Sequence, residues 1–207
     1  MADRLVIFLH IPKTGGVTMR RILDRQYKKN RIYRYAPDRP LSPIGNPKLQ
    51  CVYGHCRYGI HRHSPKTCVY ITFLRDPLDR ILSTYYFIRS RPQNKLHDNV
   101  RKMSFEQFVK SADPHIQPLV RNHQTRIISG RQTPNLSVAL HNIDRHFAVV
   151  GLTEMYPESV FMMGKMLGWK DLSYTKQNVT KSRPKNPYVP KYIKAWIHKN
   201  NALDYQL

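Results

Sequence analysis

The segment HIPKTGGVT, residues 10–18, has the composition of a loop that binds a phosphate-like group. It follows a short apolar run and precedes apolar residues at helical spacing, so it joins a strand to a helix. The glycines let backbone N–H groups approach an anion, and the first N–H groups of the helix add partial positive charge. Lys13 adds a mobile positive charge, and Thr14 and Thr18 add hydroxyl groups.

The order of residues in this loop differs from that of the common nucleotide-binding loop. Lys13 precedes the glycines, whereas in the Walker pattern GxxxxGK[ST] the lysine follows the second glycine. This difference argues against an ordinary ATPase. A tight turn beside a surface lysine is the alternative interpretation.

A second candidate anion-binding position lies in the segment TFLRDPLDRILSTYY. Arg75 ends an apolar run, and Ser83 lies about two helical turns further on. A planar guanidinium and a hydroxyl group that converge could bind one phosphate group. We interpret Asp76 and Asp79 as helix caps or as partners of Arg80 rather than as catalytic acids.

The segment CVYGHCRYGIHRHSPKTC, residues 51–68, contains three histidines and three cysteines. It has no C-x-x-C pair and no histidine pair one helical turn apart beside an acid, so the spacing argues against a metal site. His55 ends an apolar run and is a candidate general base, because it would face the same sheet edge as Lys13. A structural or surface role is the alternative for His55, and the interpretation for His61 and His63.

Short apolar runs and segments of helical spacing predict the elements that position these residues. The predicted strands are residues 4–9, 49–53, 69–74 and 147–152; the predicted helices are residues 17–27, 157–167 and 192–207, with another from Pro77; the predicted loops are residues 36–47 and 178–190. A capping box is predicted at Ser104 and Gln107. Alternating strands and helices predict an α/β fold of three layers, with a central, mainly parallel sheet and helices on both faces. In such folds ligands bind at the carboxyl ends of the strands, where residues 10–18 and 75–83 begin.

The chain has 207 residues and a formal net charge of +22, from 35 lysines and arginines against 13 acidic residues. We expect a single domain over residues 1–207, and the sequence stops inside the predicted C-terminal helix. The charge favours an anionic partner: nucleic acid, an anionic membrane, an acidic glycan or a phosphorylated small molecule. A solvated basic surface is the alternative.

The cysteine count and the apolar runs indicate the cellular setting. Three cysteines are an odd number, which indicates free thiols rather than a disulfide framework. No apolar run approaches the roughly 20 residues of a membrane helix, and the first run is too short for a signal peptide. We therefore expect a cytoplasmic protein.

Three segments together resemble the carbohydrate-type sulfotransferases, the group that includes the uronosyl 2-O-sulfotransferases of heparan sulfate and their bacterial relatives. The segments are HIPKTGG, YGHCRYGIH and TFLRDPLDRILSTYY; further similar segments are NHQTRIISG (122–130), FAVVGLTE (147–154) and NVTKSRP (178–184). The resemblance covers nearly the whole chain. It implies a P-loop NTPase-like sulfotransferase fold, the donor 3′-phosphoadenosine 5′-phosphosulfate (PAPS), the product 3′,5′-ADP, and no metal.

The resemblance also implies roles for individual residues. The loop around the 5′-phosphosulfate would consist of Lys13, Thr14, Gly15, Gly16, Val17 and Thr18. Arg75 and Ser83 would bind the 3′-phosphate, and Thr180 and Lys181 would close over the donor. His55 matches the family's catalytic histidine, and Lys13 would stabilise the leaving phosphate.

Two departures from the family pattern bear on the acceptor and the setting. The uronosyl enzymes have a second histidine two residues before the catalytic one, where this chain has Tyr53. The expected acceptor is therefore a carbohydrate hydroxyl that differs from a uronic acid. The sequence shows no counterpart of the membrane anchor of the animal glycan sulfotransferases, and the glycosylation sequon at Asn178 lies in the presumed donor loop. We therefore expect a cytosolic or bacterial setting, or a fragment.

Two other functions remain as alternatives at this point. One is a basic module that binds nucleic acid or another polyanion without catalysis, although the sequence lacks the aromatic pattern of RNA-binding sheets, so we expect no nucleic-acid partner. The other is a nucleotide kinase on a related fold. A kinase would need carboxylates for Mg²⁺ and a lysine after the glycines.

Overall fold

The computed structural model describes residues 4–175, 184 and 187–207. The strands are β1 (Leu5–Leu9), β2 (Ile32–Tyr35), β3 (Cys51–Gly54), β4 (Cys68–Leu74) and β5 (Phe147–Leu152). The helices are α1 (Gly16–Gln26), α2 (Pro77–Arg89), α3 (His97–Val100), α4 (Phe105–Lys110), α5 (Gln117–Val120), α6 (His123–Ser129), α7 (Leu136–His146), α8 (Tyr156–Leu167), α9 (Lys191–Asn200) and α10 (Ala202–Gln206).

Within the described residues, five strands form one sheet in the order β2-β3-β1-β4-β5. Each neighbouring pair of strands is parallel. Every residue of β1 is buried, as a central strand covered on both faces requires. Because β3 and β4 flank β1, the segments that follow these three strands lie side by side at one edge of the sheet.

Side chains of β1 alternate between the two faces of the sheet. Leu5, Ile7 and Leu9 pack in one core with residues of α6 and α7. Val6 and Phe8 pack in a second core with residues of α1 and α8. The predicted α/β fold of three layers is therefore confirmed, with a sheet that is parallel throughout.

A third core fixes α2, the helix that carries the candidate site residue Ser83. The buried faces of α2 and α9 meet there, and Phe108 of α4 completes the contact. Pro77 is the first residue of α2, and Ser104 and Gln107 form the predicted capping box on α4. The C-terminal part of the chain thus supports α2 from outside the sheet.

Some elements differ from the predictions. Strand β2 was not predicted, because it is a four-residue edge strand in which only Ile32 and two tyrosines favour a strand. The predicted helix over residues 192–207 is two helices, α9 and α10. They separate at Asn201, whose buried side-chain amide donates to the carbonyls of Val120 and Ile197. Most of the predicted loop over residues 178–190 lies outside the described residues.

None of the described helices is long and apolar enough to cross a membrane.

Candidate active site

The loop between β1 and α1 turns through left-handed backbone conformations at Lys13 (φ 71°) and Gly15 (φ 83°). A Cβ atom on Gly15 would lie 2.6 Å from Cε2 of Tyr156. The hydroxyl of Tyr156 donates to the Gly15 carbonyl at 3.1 Å. The loop is therefore packed against α8, and Lys13 has a backbone conformation that a residue with a side chain rarely adopts.

The side chain of Lys13 lies beside an aromatic ring. Its Nζ atom is 4.1 Å from the centroid of the Phe87 ring on α2. Burial lowers the pKa of Lys13 to about 8, and the positive charges of Arg75 and Arg91 contribute to the decrease. A site in which neighbouring cations lower the pKa of a lysine in this way favours a bound anion.

Arg75 directly follows β4 and contacts the loop. Its Nη1 atom donates to the Lys13 carbonyl at 3.2 Å, and its Nη2 atom pairs with Asp79 at 3.3 Å. Asp79 was interpreted as a cap or a partner of Arg80, and the structure corrects this: Arg80 is fully buried and donates to the Leu119 carbonyl. The cap of α2 is Asp76, whose carboxylate accepts from the Asp79 N–H.

Two residues from distant segments fix the backbone beside Arg75. The side-chain amide of Gln124 accepts from the Arg75 N–H and donates to the Arg75 carbonyl, both at 2.9 Å. The carboxylate of Glu154 accepts from the Asp76 N–H at 3.0 Å. Both residues lie in segments that carried the family resemblance, 122–130 and 147–154, but their role could not be read from the sequence because the contacts are long-range.

The other residues predicted to bind the donor differ in their burial and in the hydrogen bonds of their side chains. Ser83 is 6% exposed on α2, and its hydroxyl forms no hydrogen bond with a described residue. The hydroxyl of the fully buried Thr14 donates to the Ile11 carbonyl at 2.8 Å, which leaves its backbone N–H as the group it can offer to a ligand. Val17 and the buried Thr18 lie in the first turn of α1.

His55 directly follows β3. Its Nδ1 atom lies 3.0 Å from the His10 carbonyl at the end of β1. Although the residue is exposed overall, neighbouring groups limit the access of water to the ring and lower the pKa of His55. Arg20 lowers it further, and the hydrogen bond to His10 opposes the shift. The imidazole is therefore in its neutral, basic form at neutral pH.

Tyr53, on β3, occupies the position of the family's second histidine. It is 3% exposed in the core beside α1. Its hydroxyl donates to Asp24 at 2.9 Å, and the guanidinium of Arg34 also pairs with Asp24, at 3.1 Å. Tyr53 therefore serves the packing of α1 against the sheet.

A cleft of about 540 Å³ opens beside His55. Tyrosines, arginines and a second histidine line it: Tyr35, Pro37, His55, Arg57, Tyr58, Gly59, Ile60, Arg62 and His63. The cleft thus combines positive charge with aromatic rings.

The remaining predictions concern residues 180 and 181, the cysteines and a possible metal site. Thr180 and Lys181 lie outside the described residues. The cysteines are free, with Cys51 and Cys56 buried and Cys68 half-buried. In the part of the chain that the structure describes, no group of three or more His, Cys, Asp or Glu residues could hold a metal ion.

The fold and the site place the protein among the parallel α/β proteins with a phosphate-loop-like turn after the central strand. Its sequence matches the sulfotransferase family over residues 2–207, so the chain belongs to that family. A solved structure that resembles it is mouse sulfotransferase SULT7A1 complexed with PAP, with 13% sequence identity and a TM-score of 0.46. The match covers 96% of this chain and 63% of that chain, so the protein spans less than two thirds of the length of that structure. No curated protein matches the sequence.

Proposed function

We propose that this protein transfers a sulfuryl group from PAPS to a hydroxyl group of a carbohydrate acceptor. The observation that carries the proposal is that Lys13, Arg75 and His55 lie in the segments that follow three neighbouring parallel strands. Arg75 contacts the Lys13 carbonyl at 3.2 Å, and His55 contacts the His10 carbonyl at 3.0 Å. In a member of the sulfotransferase family, this edge is where a donor and an acceptor would meet.

The donor would bind along the loop and the start of α2. Backbone N–H groups of residues 14–17 would surround the 5′-phosphosulfate, at the amino end of the 11-residue helix α1. The Thr18 N–H donates to the Gly15 carbonyl at 3.1 Å and closes the turn. Arg75 and the unbonded hydroxyl of Ser83 would bind the 3′-phosphate, since a guanidinium fork matches phosphate oxygens. Thr180 and Lys181 remain predictions for closure over the donor.

His55 would act as the general base. Its Nδ1 atom is engaged with a carbonyl, which leaves the Nε2 lone pair to take the proton of the acceptor hydroxyl. As that proton moves to Nε2, the acceptor oxygen forms a bond to sulfur and the bond between sulfur and the bridging oxygen breaks. The electron pair of the broken bond stays on the phosphate oxygen of 3′,5′-ADP.

Lys13 would stabilise the negative charge that develops on that phosphate oxygen. Its ammonium group lies in a partly dehydrated environment, where an electrostatic interaction is stronger than in water. A preorganised cation can supply the charge stabilisation that Mg²⁺ supplies in phosphoryl transfer.

The cleft beside His55 is the proposed acceptor site. Tyr35 and Tyr58 offer flat surfaces for a sugar ring, and Arg57 and Arg62 offer donors to its hydroxyl or acidic groups. Tyr53 is withdrawn into the core, in agreement with the expectation that the acceptor differs from a uronic acid.

The test is transfer of labelled sulfate from PAPS to a panel of polysaccharides, glycolipids and small alcohols. It is paired with thermal unfolding in 3′,5′-ADP or in ATP with Mg²⁺, since a ligand of the folded state raises the unfolding temperature. The proposal predicts stabilisation by 3′,5′-ADP and label in at least one carbohydrate. Stabilisation by ATP alone would indicate a kinase, and salt-sensitive polyanion binding without transfer would indicate a binding module.

A further inference from the structure

The ring of His10 lies in a stack of three rings that runs from the core of the sheet to the cleft. On one side it stacks on Phe8, with centroids 5.5 Å apart and planes 15° from parallel. On the other side it stacks on His55, with centroids 4.4 Å apart and planes 27° from parallel. Phe8 is fully buried, so the stack gives His55 a rigid support.

The backbone of His10 determines which nitrogen of His55 carries the proton. The His10 carbonyl can only accept, so the His55 Nδ1 atom at 3.0 Å must be the donor. The His55 ring therefore adopts the Nδ1–H tautomer, and Nε2 has the free lone pair. Ring and carbonyl of one residue thus fix both the plane and the tautomer of His55.

The ring of His10 has no room to move away from His55. A Cβ atom on Gly16 would lie 1.9 Å from its Nε2 atom, so the first turn of α1 packs directly on the imidazole. The ring also stays uncharged: burial and the charges of His55, Arg20 and Lys13 lower the pKa of His10 to about 3. A neutral ring does not repel the imidazolium that His55 forms when it accepts a proton.

We propose that His10 is the positioning residue of the general base, holding His55 in the Nδ1–H tautomer with its ring plane fixed against the sheet. The inference rests on the proposed function of His55. It adds a residue that acts through His55, in the way that outer partners orient catalytic histidines.

The kinetic test compares His10→Ala, which removes the stack, with His10→Phe, which keeps a flat ring of similar size. We expect His10→Ala to lower kcat by roughly 10- to 100-fold, since misplacement of a reacting group has effects of this size. The KM for PAPS should change less than about twofold. His10→Phe should restore most of kcat, because the stack and the backbone carbonyl remain. His115→Ala, an exposed histidine remote from the sheet edge in sequence, is the matched control.

The pH profile supplies a readout that a general loss of folding would not change. The charged and titratable groups near His55 are Arg20 from α1, His10 from the segment after β1, and the cleft residues Tyr35, Arg57, Tyr58, Arg62 and His63. Removal of the His10 ring admits water to His55, so the acid limb of kcat should move to higher pH in His10→Ala. It should stay in place in His10→Phe.

A measurement without turnover separates this inference from the proposed function. NMR of protein with ¹⁵N-labelled histidine reports the tautomer of each imidazole, and His55→Ala assigns the His55 signal. We expect Nδ1–H in the wild type and in His10→Phe. His10→Ala keeps the carbonyl but loses the stack that holds the His55 ring in line with it, so we expect a mixture of tautomers in that variant. An Nε2–H tautomer in the wild type, or an unchanged tautomer and rate in His10→Ala, would overturn the inference. If wild-type protein shows the Nδ1–H tautomer but transfers no sulfate, the positioning stands and the proposed function fails.

Discussion

The guanidinium of Arg75 donates to the carbonyl of Lys13 at 3.2 Å, which joins the segment after β4 to the loop after β1. One guanidinium thus connects the loop proposed for the 5′ end of the donor with Asp79 in the first turn of α2. Its Nε atom is buried and has no partner among the described residues. The side chain is therefore incompletely bonded without a ligand, which is typical of a group that binds an anion.

Arg75→Ala should weaken the binding of 3′,5′-ADP by roughly 10- to 100-fold, because a hydrogen bond to a charged group contributes about 1.5–3 kcal/mol. The affinity of Arg75→Lys for 3′,5′-ADP should lie between those of the wild type and Arg75→Ala. Lysine keeps the charge but lacks the planar set of N–H donors of a guanidinium. Calorimetric titration measures the affinities. Arg21→Ala, which removes an exposed charge from α1, is the control for net charge. Equal affinities for Arg75→Ala and Arg21→Ala would exclude a direct role for Arg75.

Lys13 should take up a proton when 3′,5′-ADP binds at alkaline pH. The pKa of Lys13 is lowered to about 8, so the amine is mostly neutral at pH 8.5 in the free protein. A bound phosphate raises the pKa again, so binding should consume roughly 0.7 proton at pH 8.5 and little at pH 7. Calorimetry in two buffers that differ in ionisation enthalpy measures the uptake. Lys13→Arg should abolish it, because a guanidinium stays protonated. Uptake that persists in Lys13→Arg would assign the proton to another group.

The sequence predicted those parts of the site that depend on local pattern and on one rule of parallel sheets. Lys13, Arg75 and His55 each follow an apolar run, and adjacent parallel strands bring such segments together. The pairing of Arg75 with Asp79 was missed, although a separation of four residues across the start of α2 allowed it.

Contacts between distant segments could not be predicted in this way. Gln124 holds the backbone of Arg75 from 49 residues away, and Tyr156 packs on the loop from 141 residues away. His10 follows β1 as His55 follows β3, but the sequence does not show that their rings stack. The break at Asn201 was missed because its cause is the distant Val120 carbonyl, while the local pattern continues as a helix.

Asp204→Ala should destabilise the protein by about 3 kcal/mol. The carboxylate of Asp204 accepts from the N–H groups of Gln124 and Thr125 and from the Thr125 hydroxyl, at 2.8–3.1 Å. Its removal leaves three buried donors without a partner, and each unsatisfied buried donor lowers the free energy of unfolding. Urea unfolding measures the change, and Asp144→Ala on the exposed face of α7 is the control. A loss below about 1 kcal/mol would contradict this role for Asp204.

Stability should decrease as the pH falls below about 6.5. Burial lowers the pKa of His10 to about 3 and lowers that of His123 well below its usual range. Below the ordinary histidine value near 6.5, the unfolded chain binds protons that the folded chain does not. Each of the two histidines should therefore lower the free energy of unfolding by up to about 2 kcal/mol between pH 7.5 and 5. Urea unfolding across this range tests it.

One substitution isolates the contribution of a single histidine to this pH dependence. His10→Phe should show a weaker decrease than the wild type, because phenylalanine takes up no proton in the unfolded chain. His115→Phe, at an exposed position, should keep the decrease of the wild type. Identical pH dependence in His10→Phe and the wild type would show that His10 is protonated in the folded protein.

His55→Ala should lower kcat by at least about 10²-fold, the usual magnitude for loss of a general base. The base must be neutral, and the pKa of His55 is lowered by its surroundings and by Arg20, so the rate should fall only below pH 6.5 as the ring becomes protonated. The affinity for 3′,5′-ADP should change less than about twofold, because His55 lies on the acceptor side of the proposed site. Rates measured from pH 5 to 8 test both statements, with His141→Ala on the exposed face of α7 as the matched control. Full transfer activity in His55→Ala would assign the proton transfer to another group in the cleft.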